Sequence, residues 1–172
     1  AYDSNLIFVA LDAKSGSMKG SRALWKMISE GLLQDPVSGK AIAPDQIGMV
    51  VNIDQIGGTM STLKSGRKDF IIMLGREAAG QENSGLLSLC NLKYGSGLEL
   101  SYDYYGSKDF TNVFYHRVSD QKVFLENKIP AVMFTSGITM NNNKPYDNPA
   151  SIDLNILKRR IWLMFHWIER IL

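Results

Sequence analysis

The stretch SDQKVFLENKIPAVMFTSG, residues 119–137, decides the fold class. Its first half has helical spacing, with Ser119 or Asp120 placed to cap the amino end. Its second half holds AVMF at 131–134, a short apolar run without polar alternation, the pattern of a strand covered on both faces. Working outward, NLIFVAL (5–11), IGMVVNI (47–53) and FIIML (70–74) repeat that strand pattern. GSRALWKMISEG (20–31) and SGLLSLCNLKYG (84–95) read as helices, and LELSYDYY (98–105) as a more exposed strand. From Ser151 onward, Leu154, Leu157, Ile161, Phe165, Ile168 and Leu172 define an apolar helical stripe, with Lys158, Arg159 and Glu169 off it. Buried strands alternating with helices predict an α/β three-layer sandwich around a mostly parallel sheet.

The 172 residues suit a single domain, 1–172. A hydrophobic share of 45% with 21% charged residues is enough to build a core. A formal charge of +2, with no basic run interleaved with aromatics, argues against nucleic acid as a partner. Cys90 is the only cysteine, which excludes an intrachain disulfide and a cysteine zinc site. His116 and His166 are the only histidines, too few for the usual zinc ligands. No apolar run is long enough for a membrane span.

In such sheets ligands gather beyond the carboxyl ends of the strands, which selects residues 12–20, 54–58 and 135–149. Asp54 ends an apolar strand and reads either as a metal ligand or general base, or as a turn aspartate before Ile56-Gly57-Gly58. Lys14 reads as an anion-binding group or as the partner of a nearby acid. Gly16 and Gly20 fit neither phosphate-loop spacing. Ser15, Ser17, Ser21 and Ser136 lack the G-x-S-x-G surroundings of a hydrolase nucleophile, and His166 between Phe165 and Trp167 reads as a packed residue. Tyr102, Tyr104 and Tyr105 suit either a ligand cleft or cross-strand packing.

Taken together, FVALDAKSGSMKGS, VVNIDQIG and NKPYDNPASID resemble three segments of the co-catalytic di-zinc aminopeptidases, whose relatives include glutaminyl cyclases and the peptidase-like domain of the transferrin receptor. The family's versions read F-D-A-E-E-x-G-L-x-G-S, N-x-D-M-I-G and Y-H-T-P-x-D-x-P followed by I-D. Pro145, Asp147, Pro149, Ile152 and Asp153 match the third. The resemblance implies a zinc-exopeptidase-like fold and covers the later half of the family's domain. The family's His-x-Asp ligand pair and bridging Asp are therefore expected upstream of Ala1.

Carried over position by position, the resemblance places Lys14 where the family has its general-base Glu and Ser15 where it has a metal-binding Glu. It places Asn143 at the metal-binding His and leaves Asp54 as a vestigial metal ligand. An ammonium, a serine and an amide cannot offset two zinc ions, and a protonated lysine is no base near neutral pH. The resemblance thus implies a peptidase-like domain that has lost catalysis, needs no cofactor, and binds a peptide or small molecule or supports an assembly. Lys14, Asp54, Asp120, Ser136, Asn143, Tyr146 and Asp147 are its cleft candidates, and Lys14 is expected to pair with Asp54. The alternative is an active zinc-dependent aminopeptidase completed by ligands from an upstream segment or a partner chain. An uncovered strand edge would favour a homo-oligomer, and the family's habits favour an extracytoplasmic location.

Overall fold

The computed structural model describes residues 4–172. Four strands, β1 (Val50–Ile53), β2 (Phe70–Leu74), β3 (Glu99–Ser101) and β4 (Ala131–Thr135), form one sheet in the order β1-β4-β2-β3. β1 pairs parallel with β4, opposing Val50 to Ala131 and Ile53 to Phe134. β3 pairs parallel with β2, while β2 and β4 meet antiparallel. Every residue of β2 and β4 is buried, which is why their sequences carry no polar alternation.

Helices cover both faces, so the sandwich has three layers. On one face α2 (Arg76–Lys93) and α5 (Leu154–Ile171) bury Leu87, Cys90, Leu163 and Trp167 against Ile71, Met73, Val132 and Phe134. On the other, α1 (Lys19–Ser29) and α4 (Gln121–Glu126) pack Ile28, Val123 and Phe124 beside Val50. α3 (Lys108–Arg117) lays Phe114 and Tyr115 against Phe70, Ile72 and Leu74. Gln121 is fully buried yet satisfied: its amide donates to the carbonyls of Phe114, Tyr115 and Val118 and accepts from Asn52. No helix is long and apolar enough to cross a membrane among the described residues.

Three expectations are corrected, and one helix is added. Residues 5–11 are not a buried strand: they lie outside the sheet, Phe8 is 86% exposed, and residues 5–12 make no hydrogen bond among the described residues. An apolar run states a preference for burial, but a strand also needs a ladder partner, and residues 5–11 pair with no strand even though β1 is an edge strand. The apolar stripe of α5 has the wrong phase. Leu154, Ile161 and Phe165 are exposed, while Arg160, Leu163, Met164, His166 and Trp167 are buried. Apolar residues cover more than half of that helix's circumference, from Leu163 and Trp167 round to Ile161 and Phe165, so periodicity leaves the phase of its inner face open, and Arg160 falls within it. The exposed strand at 98–105 shrinks to three residues, with Tyr104 buried beyond it. α3 has no buried residue and so left no apolar stripe to read, though the Ser107 side chain caps it by accepting from Phe110 N–H.

Candidate functional site

Because β1 and β4 run in the same direction, their carboxyl ends open at one edge of the sheet, and those of β2 and β3 at the opposite edge. Asp54 directly follows β1, and its N–H continues the ladder to Phe134 O at 3.0 Å. Lys14 opens a single 3₁₀ turn flanked by left-handed backbone at Ala13, Ser17 and Met18. The turn is folded tightly against the start of α1: a side chain on Gly20 would stand 2.5 Å from the carbonyl oxygen of Asp12. The Lys14 ammonium lies against the Asp54 carboxylate, with side-chain exposures of 37% and 15%.

The loop after β1 is tied to the loop after β4. Ser136 N–H donates to Gln55 O at 2.7 Å, the Ser136 hydroxyl to Gln55 O and Gly58 O, and the Gln55 amide to Asn142. Tyr105 donates to Ser136 O at 2.9 Å, and Ile138 N–H donates to Tyr104 at 3.3 Å. Tyr104 and Tyr105 therefore buttress the crevice from behind instead of lining it, while Tyr102 packs on the α2 face beside Arg76. Burial pushes both phenols above their ordinary pKa, so they remain neutral donors.

The third support is Arg160, which is wholly buried. Its Nε donates to Phe70 O (2.8 Å), its Nη1 to Ile56 O (2.7 Å) and Gly58 O (3.0 Å), and its Nη2 to Thr59 Oγ1 (3.1 Å) and Lys68 O (3.4 Å). All five guanidinium donors are thus spent on neutral oxygens, and no carboxylate pairs with it among the described residues. Burial pulls its pKa down to about 10, still well above neutrality, with Tyr105, Asp153 and Asp69 pulling the other way. Hydropathy ranks arginine as a surface residue, so nothing in the sequence marked it.

Of the residues singled out from sequence, Lys14, Asp54 and Ser136 gather in this crevice. Asp120 faces α1, where it accepts from the Ser21 hydroxyl at 2.6 Å. Ser15, Asn143, Tyr146 and Asp147 are exposed, and it is Asn142 that reaches Gln55. Asn143 instead supplies left-handed backbone to the turn, at φ 59°. His166 packs under α2, stacked on Tyr94 at 3.6 Å with Nδ1 3.0 Å from Glu169, while His116 lies on α3. The residues at Asp54 do not fit a zinc centre. Its carboxylate has an ammonium against it, and no three His, Cys, Asp or Glu side chains converge anywhere among the described residues.

Two of the surface recesses bear on these elements. One, of about 220 Å³, lies between the loops after β1 and β4, lined by Gly58, Thr59, Met60, Thr139, Asn141 and Ser151 among others. The loops nearly touch there: a side chain on Gly58 would stand 2.7 Å from the Thr139 methyl. The other, of about 330 Å³ and more open, lies at the opposite edge beside Arg76, which is already engaged by Ser84 and the Tyr102 ring.

No protein-family model and no curated protein sequence matches the chain. Solved structures do match its fold, two of them being crystal structures of one protein. One, of the LapA aminopeptidase of Legionella pneumophila, superposes with a TM-score of 0.56 at 15% identity over 94% of this chain. The second, also of LapA, gives 0.51 at 16% identity over 90%. The chain spans 37% and 38% of those two structures. At such identities the likeness concerns the fold: the chain has an aminopeptidase-like α/β architecture.

Proposed function

We propose that this chain is a zinc-aminopeptidase-like domain that works as a binding or supporting module and does not hydrolyse peptides. The observation that carries the reading is the Lys14 ammonium against Asp54. A cation already occupies the charge position of the one carboxylate that the family resemblance assigns to metal, and a second cation there would be repelled. The same lysine cannot take a proton from water near neutral pH, so the base that such hydrolysis requires is missing as well. The frame around the pair is retained, with Asp54 on the ladder and the two crevice loops hydrogen-bonded to each other.

Zinc calorimetry on the protein and on Asp54→Ala, together with an aminoacyl-anilide assay with and without chelator, tests this. No zinc binding that depends on Asp54, and no chelator-sensitive release of anilide, is the expected result. Tight binding lost in Asp54→Ala, accompanied by hydrolysis, would restore the active-enzyme reading.

A further inference from the structure

Arg160 has a consequence for the 220 Å³ recess that neither the fold nor the family resemblance contains. Gly58 and Thr59, two residues of the recess wall, are themselves acceptors of the guanidinium. Anything seated on that wall therefore lies one hydrogen-bonded layer from a full positive charge, roughly 6 Å away. Water does not reach that charge, because Arg160 is fully buried, and no acid forms an ion pair with it among the described residues. Asp54 is paired with Lys14 and Asp69 with Arg67 and Arg159, while Asp153, which caps α5 through backbone N–H donors, keeps its charge and acts on Arg160 only at a distance. Carbonyl dipoles satisfy the donors of Arg160 while leaving its net charge intact, so its field extends into the recess.

The wall also offers donors. The Gly58 carbonyl points to Arg160, and across a planar trans peptide the Thr59 N–H points the other way, away from the cation. That N–H donates to no acceptor among the described residues, and the Thr139 hydroxyl and Asn141 side-chain amide beside it are equally uncommitted. At about 220 Å³ the recess falls below the ~300–1,000 Å³ of pockets for drug-sized ligands. Met60 and the Thr139 methyl supply an apolar side for a short aliphatic group.

We propose that this recess binds a small carboxylate of amino-acid size, with its anionic group against the Gly58–Thr59 peptide and within the field of Arg160. The assignment rests on the binding-module reading and names the ligand class that the module takes.

The test is an NMR titration of isotope-labelled full chain at constant ionic strength, comparing N-acetylglycine with N-acetylglycinamide, two probes of nearly equal size that differ in charge. N-acetylglycine is expected to shift the Thr59 and Thr139 amide signals at millimolar concentration, with an affinity at least tenfold above the amide. In Thr139→Phe, which fills the recess while leaving Arg160 in place, those shifts should vanish with the rest of the spectrum unchanged. Equal affinity for the two probes overturns the inference, as does absence of any response to N-acetylglycine or persistence of the response in Thr139→Phe. An anilide assay on the same sample separates the two readings. Zinc-dependent hydrolysis would overturn the non-catalytic reading while leaving the charge preference standing, and equal probe affinities would do the reverse.

Discussion

The two walls of the crevice hold their cations in opposite ways. On the side of α1, the Lys14 ammonium is half in water and meets the Asp54 carboxylate. On the side of α5, Arg160 is sealed from water and meets only carbonyl oxygens and one hydroxyl. The first arrangement cancels charge and, being partly solvated, is a weak contributor to stability. The second keeps its charge and is costly to disturb, since each acceptor left behind is buried. A paired cation removes a site's electrostatic character, whereas one solvated by dipoles creates it.

The contrast breaks most sharply at Arg160. Arg160→Met deletes five donors, stranding the carbonyls of Phe70 and Ile56 and leaving Gly58 O to the Ser136 hydroxyl alone, and is expected to cost at least about 4 kcal/mol, measured as a loss in urea midpoint. That is a large part of a typical domain's ~5–15 kcal/mol. A loss below about 1 kcal/mol would show that water replaces the guanidinium and that the wall is wetter than described. Arg160→Lys preserves the charge but trades a planar fork for a point donor, and about half the loss is expected. Parity with wild type would mean that only the charge matters.

A second cation–carboxylate site sharpens the comparison. Asp69 accepts from Arg67 at 2.8 and 2.9 Å and from Arg159 at 3.1 Å, and the Arg67 hydrogen bonds above all hold its carboxyl far below the ordinary carboxylate range. With the folded-state pKa depressed, its stabilisation is present above the unfolded value of ~3.9 and is lost as pH falls toward the folded one. Both arginines are substantially exposed, so Asp69→Asn should cost only about 1 kcal/mol at neutral pH. The wild-type and variant stability curves should converge between about pH 5 and pH 2. Curves that stay parallel would place the stabilisation in shape instead of charge. The smallest change is expected at Lys14, where Lys14→Met should lower stability by less than about 1 kcal/mol. A larger drop in melting temperature would mean that Asp54 depends on its partner far more than their exposure suggests.

Much of the architecture was legible because it rests on local pattern. FIIML and AVMF are apolar at consecutive positions since both faces of β2 and β4 are covered, and that pattern survives without knowledge of neighbours. The run at 5–11 has the same composition and a different fate, because strand formation depends on a partner that composition does not reveal. The pairing of Lys14 with Asp54 could be anticipated from charge at two loops facing one sheet edge. Asn142, Thr59 and Arg160 could not. Asn142 sits among three successive asparagines that are equivalent in sequence, and it is the turn geometry, with Asn143 left-handed, that accompanies Asn142 reaching Gln55.

By itself the sequence determined that helices and buried strands alternate, that cysteine and histidine are scarce, and that a lysine and an aspartate sit in two loops beyond apolar runs. These follow from residue type and short-range order, which a chain carries unfolded. Only the tertiary structure decided which face of α5 turns inward, and so which cation lies behind the crevice. An arginine is buried when enough acceptors converge on it, and those of Arg160 come from residues 56–70, some ninety positions or more away along the chain. Convergence at that separation is a property of the packed sheet and its loops, which no local pattern records.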